Sequence, residues 1–114
     1  MKTFVLMSKL NPKGATLVEV ASTLRDNAKV ARSWIDRAKK VCPEANFVAH
    51  YAILGSYDFM DIYEAPDEET AAKISLLCGA DGTFTVESWT AIPRQRLTEL
   101  AEQMAFGLND ADEL

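Results

Sequence analysis

The sequence predicts an α+β fold with elements in the order β-α-β-β-α-β and one further helix at the end. Three observations carry this expectation. Residues 2–8 are apolar on both alternating faces, as a strand covered on both sides must be. Residues 30–42 and 68–78 repeat their apolar side chains at three-and-four spacing, the mark of a helix with one buried stripe. Between them, two strand-like runs meet at Gly55-Ser56.

The elements follow in order. In the first strand Phe4 and Leu6 share one face, and Val5 and Met7 the other. Asn11-Pro12 and Gly14 break the pattern and predict a loop. Thr16 and Glu19 have capping-box spacing ahead of Val20, Ala21 and Leu24, so a short helix is expected over residues 17–24. The next helix buries Val30, Ala31, Trp34, Ile35, Ala38, Val41 and Cys42, and Pro43 ends it. Trp34 lies inside this stripe and is expected in the core rather than stacked on a ligand.

The central hairpin pairs residues 46–54 with 57–65. A two-residue turn at Gly55-Ser56 wants positive φ at the glycine. It sets Leu54 opposite Tyr57, Ala52 opposite Phe59, His50 opposite Asp61 and Val48 opposite Tyr63. The other face holds Phe47, Ala49, Tyr51, Ile53, Met60 and Ile62. That set is the more uniformly apolar, so it is expected against the helices. Pro66 ends the strand, and Asp67 caps a helix with Glu68 and Glu69 in its first turn. Ala71, Ile74, Leu77 and Cys78 stripe that helix, and Gly79 suits the left-handed position after it. The last strand, residues 83–92, turns Phe84 and Val86 to the helices and Glu87 and Trp89 away from them. Pro93 opens a final helix striped by Leu97, Leu100, Ala101 and Met104.

This order folds as a ferredoxin-like antiparallel four-stranded sheet with both helices on one face. The central two strands are expected to be parallel and joined by right-handed crossovers. The chain divides into residues 1–92 as the domain, 93–108 as an amphipathic helix and 109–114 as an acidic disordered tail.

At 114 residues with 48% hydrophobic side chains, the chain is long enough for one core. A net charge of −5 disfavours nucleic acid as a partner. Arg32, Arg37, Lys39 and Lys40 are the densest basic cluster and are read as a solvated helix face. No run is long enough to span a membrane, and no leader pattern is present. Cys42 and Cys78 do not have zinc spacing. Reduced thiols and a cytoplasmic location are the expectation.

The residues Gly55-Ser-Tyr57-Asp58, followed by an apolar strand ending in Glu64-Ala-Pro-Asp67 and later by Val86-Glu-Ser88, resemble the GYD family, small bacterial and archaeal proteins named for a Gly-x-Tyr-Asp signature. The likeness runs over residues 28–92, and Gly55, Tyr57 and Asp58 match the signature itself. The resemblance implies a ferredoxin-like domain of the dimeric α+β barrel type. It implies little about activity. Signature residues Tyr57 and Asp58 have a structural reading: Asp58 accepts backbone N–H groups near the turn, and Tyr57 covers the hairpin end.

The face away from the helices is expected to expose Leu54, Tyr57, Phe59, Tyr63 and Trp89, more apolar area than a soluble monomer leaves in water. A homodimer with its sheets face to face is therefore expected. Its interface would enclose a cleft lined by His50, Tyr57, Phe59, Asp61, Tyr63 and Trp89, with residues 10–27 as a lid. His50 and Asp61 are the candidate catalytic pair, because a carboxylate beside an imidazole can orient it as acid or base. The bland alternative is an ordinary cross-strand pair. Tyr57, Phe59, Tyr63, Glu87 and Trp89 are the candidate ligand contacts. A metal would need His50, Asp61 and Glu87 to converge, and none is expected. Phosphate loops, nucleophile elbows and zinc-protease motifs are absent, so no cofactor is expected. Three functions follow: a dimeric small-molecule-binding or regulatory module, a cofactor-free oxygenase or isomerase using His50 and Asp61, and a structural assembly protein with no ligand.

Overall fold

The computed structural model describes residues 1–11, 17–26, 28–80 and 82–112 of the chain. Its elements are β1 (Lys2–Leu10), α1 (Leu17–Asp26), α2 (Ala28–Val41), β2 (Asn46–Ala52), β3 (Phe59–Ala65), α3 (Glu68–Gly79), β4 (Phe84–Ala91) and α4 (Arg94–Asp112). The fold is α+β and ferredoxin-like, with one sheet in the order β2-β3-β1-β4. All neighbouring strands are antiparallel, including the central β1 and β3, which corrects the expected parallel pair. Each helical crossover skips a strand: β1 is parallel to β2, with β3 inserted between them.

Thr16 of the expected capping box, the breakers Pro12 and Gly14, and Asn27 of the expected lid lie outside the described residues. So do the side chains of Val20, Leu24, Val30 and Ala31, and residues Glu113 and Leu114 of the expected tail. Helical backbone in α4 continues to Asp112, past residue 108 where the sequence pattern ends it.

The core lies between the sheet and helices α2 and α3. Phe4, Leu6, Leu10, Tyr63, Ala65 and Phe84 from the strands meet Trp34, Ala38, Cys42, Ala71, Ile74 and Cys78. Trp34 is buried in its stripe, as expected. Neither cysteine is in a disulfide and both are buried, and burial raises the Cys42 thiol above its usual pKa. Asp67 caps α3 with extended backbone, its carboxylate accepting the Thr70 N–H at 2.8 Å and the Thr70 hydroxyl at 2.8 Å.

The expected assignment of hairpin faces is reversed for β3 and for His50 and Ala52 of β2, whereas Phe47 lies against the helices and Tyr57 on the far face, as expected. Phe59, Asp61 and Tyr63 face the helices: Asp61 and Tyr63 are buried there, and the Tyr63 hydroxyl donates to the Ala71 carbonyl of α3 at 3.4 Å. Met60 and Ile62, cross-strand from Met7 and Val5, lie on the far face. Hydrophobicity alone favoured Met60 and Ile62. The space under the helices instead takes the larger rings, and the buried Asp61 is matched by His50.

β2 carries a bulge. Phe47 pairs with Tyr63, Ala49 with Ile62, and Val48 is the extra residue. The expected Val48–Tyr63 pair is therefore replaced by Phe47–Tyr63, while His50–Asp61 and Ala52–Phe59 pair as expected. The bulge turns both Phe47 and His50 to the helix side, where their rings stack at 5.8 Å and 18°.

The β2–β3 turn is longer than two residues. The Ile53 N–H donates to the Asp58 carbonyl at 2.8 Å, so Leu54, Gly55, Ser56 and Tyr57 form the loop. A four-residue loop needs no positive φ at Gly55, and among the described residues only Gly82 has one, at 76°. Gly79 closes α3 from inside the helix, with Ala80 as a right-handed cap, so the left-handed glycine sits three residues later than expected.

Helix α4 packs closely against none of the other elements. Its described side chains from Arg94 to Ala105 are exposed apart from half-buried Leu100. The chain is accordingly long, 64 × 31 × 19 Å, with a radius of gyration of 18.2 Å against about 13 Å for a compact domain near this size.

Candidate functional site

A cleft of about 560 Å³ opens between the sheet and α2. β1 supplies Ser8, β2 supplies His50 and Ala52, β3 supplies Phe59 and Asp61, and β4 supplies Phe84; α2 closes the other side with Trp34, Ile35, Asp36 and Lys39. Phe59 and Phe84 meet edge to face at 6.0 Å and give the cleft an aromatic floor. Apolar walls with a few convergent polar groups are the usual makeup of a small-molecule site.

Within it, Asp61 and His50 form the polar centre. The Asp61 carboxylate pairs with His50 Nδ1. Asp61 has 8% of its side chain exposed and His50 47%, so the acid is sealed beneath the ring while the ring stays half open. Burial raises the Asp61 pKa, and the hydrogen bond from His50 works against that rise without cancelling it. Stacking on Phe47 holds the imidazole plane from the other side. Phe47 in turn sits edge-on to Trp34 at 6.2 Å, which ties the ring position to α2.

The candidate residues therefore separate into two groups. His50, Asp61 and Phe59 line the cleft on the helix side, and Tyr63 lies in the core beside it, not in the cleft. Tyr57, Glu87 and Trp89 gather on the far face of the sheet. There the Tyr57 hydroxyl donates to Glu87 Oε2, Trp89 Nε1 donates to Glu87 Oε1 at 2.7 Å, and the Tyr57 and Trp89 rings meet edge to face at 6.0 Å. Lys9 Nζ lies 5.3 Å from the Tyr57 ring centre. The bond to the Glu87 carboxylate, and then desolvation, raises the Tyr57 pKa, and the bonds from Tyr57 and then Trp89 lower that of Glu87. The single six-residue cleft expected at the far face is thus not formed within one chain. Glu87 is across the sheet from His50 and Asp61, and among the described residues no set of three metal-ligating side chains converges.

The signature residues have a structural task. The Asp58 carboxylate accepts the Leu10 N–H at 2.8 Å, and the Asp58 N–H donates to the Ser8 carbonyl at 2.9 Å. The loop is thereby fastened to the end of β1, which delivers Tyr57 over β1 toward Glu87 on β4. Sequence reasoning anticipated an Asp58 contact to backbone N–H; the donor is 48 residues away rather than in the same turn.

A family profile for the GYD domain matches residues 4–101. The chain belongs to the GYD-domain family. The match begins in β1 and ends inside α4, so it reaches past residues 28–92 at both ends. Among curated proteins, the glutamine synthetase and cystathionine beta-lyase binding protein of Thermus thermophilus is similar, 34% identical over 95 residues that cover 82% of this chain and 90% of that protein. No solved structure gives a significant match.

Sequence reasoning missed the α2 side of the cleft. Trp34 and Ile35 were visible only as members of a core stripe, and Lys39 only as part of a solvated basic face. Periodicity does not distinguish a stripe residue packed on the sheet from one at the edge of a gap.

Proposed function

We propose that this GYD-domain protein is a binding and regulatory module that takes a small molecule into the cleft between its sheet and α2. The observation that carries this reading is the sealed Asp61 beneath a half-open His50 at the polar end of an aromatic-floored cleft of about 560 Å³. A pair serving only to join two strands has no need of an open ring edge facing a void. The similar Thermus thermophilus protein is named for binding two enzymes. By that likeness the proposed module has protein partners, and ligand occupancy of the cleft would set its affinity for them.

The module is further proposed to be a homodimer joined through the far face. This is supported by Val48, Tyr51 and Trp89, which are exposed there next to Val5, Met60 and Ile62. Exposed apolar patches of this kind mark interfaces. Native mass spectrometry of untreated protein tests both parts. The expected spectrum has twice the chain mass, with a retained small molecule that is lost in Phe59→Lys. A monomer rules out the interface, and an empty cleft that also refuses hydrophobic probes rules out the ligand reading.

A further inference from the structure

Resting on the cleft reading, we infer that the ligand is a weak organic acid, an O–H acid on a flat conjugated ring such as a phenol or an enol, which His50 Nε2 receives by its acidic proton. An ionised carboxylate can only accept hydrogen bonds. Asp61, paired with Nδ1, therefore keeps the ring proton on that nitrogen. That tautomer carries its lone pair on Nε2. Phe47 covers one face of the ring at 5.8 Å, and His50 borders the cleft with about half its side chain open. No hydrogen bond joins Nε2 to a described protein group, so this nitrogen is open to a ligand in the cleft, and a lone pair calls for a proton donor. The remaining surfaces fit a flat apolar body: Phe59 and Phe84 below, Trp34 and Ile35 beside.

The proton step balances without any further reagent. The ligand O–H bond breaks, an Nε2–H bond forms, and the electron pair stays on the ligand oxygen. The result is a ligand anion against an imidazolium, which Asp61 stabilises from behind. Lys39 at the cleft wall adds a second positive charge, and Asp36, also on the wall, is the charge that opposes it. A neutral hydrocarbon, by contrast, offers Nε2 no proton.

The test compares 4-nitrophenol with its methyl ether, 4-nitroanisole, on the intact protein. They share size and ring, but only the phenol has the proton. The phenol is expected to bind about tenfold or more tightly, the usual worth of a charge-assisted hydrogen bond. Its visible phenolate absorbance should grow on binding at a pH where the free phenol is mostly protonated. In Asp61→Asn the side-chain amide can donate to Nδ1 and move the ring proton to Nε2. The preference and the phenolate band should then disappear while 4-nitroanisole still binds; His50→Gln should behave the same way. Equal affinity for the two probes in the native protein, or no gain in phenolate, overturns the inference and leaves the cleft reading standing. Failure of both probes to bind overturns the two together.

Discussion

The Asp58 carboxylate holds the backbone N–H of Leu10 at 2.8 Å, joining the β2–β3 loop to the far end of β1. It is the one signature side chain whose partner is a strand end, and the N–H it accepts from is partly buried. Asp58→Ala is expected to cost about 1–3 kcal/mol, the usual penalty for orphaning such a donor. Urea denaturation measures it, and a change below about 0.5 kcal/mol would show the clasp to be dispensable.

Tyr63 separates ring from hydroxyl. Its ring is fully buried against Phe4 at 5.6 Å and Phe47 at 5.5 Å, while its hydroxyl donates to the Ala71 carbonyl at 3.4 Å and also bonds the Ser88 side chain. Tyr63→Ala should cost about 3–5 kcal/mol as a large core truncation. Tyr63→Phe should cost less, about 1–2 kcal/mol, because it removes only the hydroxyl's hydrogen bonds and keeps the ring. Both are read from the same denaturation curves; equal losses would contradict this division.

Asp67 predicts an acid-side effect. Its folded pKa is lowered, first by the Thr70 backbone N–H and then by the Thr70 hydroxyl. The folded chain therefore holds this proton more weakly than the unfolded chain. The stability Asp67 supplies is present above the ordinary aspartate pKa and lost as pH falls through the lowered folded value. Asp67→Ala should lower the neutral-pH melting point by a few degrees and flatten that part of the pH profile. Thermal melts between neutral and strongly acidic pH would detect either outcome.

Asp61 predicts the opposite slope. Burial raises its folded pKa, so the folded chain holds the proton more tightly. Its contribution is most favourable at low pH and declines as pH rises from the ordinary aspartate value through the raised folded one. Asp61→Asn should remove that decline. A variant whose stability falls over the same interval as the native protein would place the titration elsewhere.

Helix α4 gives a prediction about size rather than stability. Leu97 and Met104 are 56% and 64% exposed, so the helix contributes little to its own body. Ending the chain after Pro93 should leave the unfolding free energy of the dilute protein within about 0.5 kcal/mol, as for exposed sites generally. If the stripe joins copies, the same truncation reduces the mass seen by light scattering at high concentration. A fall of several degrees in the dilute melting point would mean that α4 does pack on its own body.

Much of the fold was legible because its signals are local. Pro66, Asp67 and the stripe through Ile74 define α3 within a few residues of one another. The His50–Asp61 register was legible for a less obvious reason. Widening the turn from Gly55-Ser56 to residues 54–57 removes one pair symmetrically and leaves the pairs as far as Ala49–Ile62 unchanged, short of the bulge. The side of the sheet was not legible. Hydropathy scores Asp61 against burial and cannot register that His50, eleven positions earlier, will match it. Nor does any feature of Asn46-Phe-Val-Ala-His50 announce a bulge, since one extra residue is set by the packing of Phe47 under Trp34. The cleft was half legible: its pair came from strand pairing, and its α2 wall depends on how far a helix stands from a sheet.

The extra residue at Val48 works as a phase shift in the strand. Ahead of it, odd-numbered positions look toward the helices; beyond it, even-numbered ones do. Phe47 and His50 can therefore be neighbours on one side although their numbers differ in parity. Deleting Val48 alone would restore simple alternation and force a choice. Either Phe47 keeps its seat beside Tyr63 and the imidazole leaves Asp61 alone in the interior, or the histidine stays and the aromatic support behind it is lost. The position that contacts nothing in the cleft is thus the one that keeps both halves of its polar end in step.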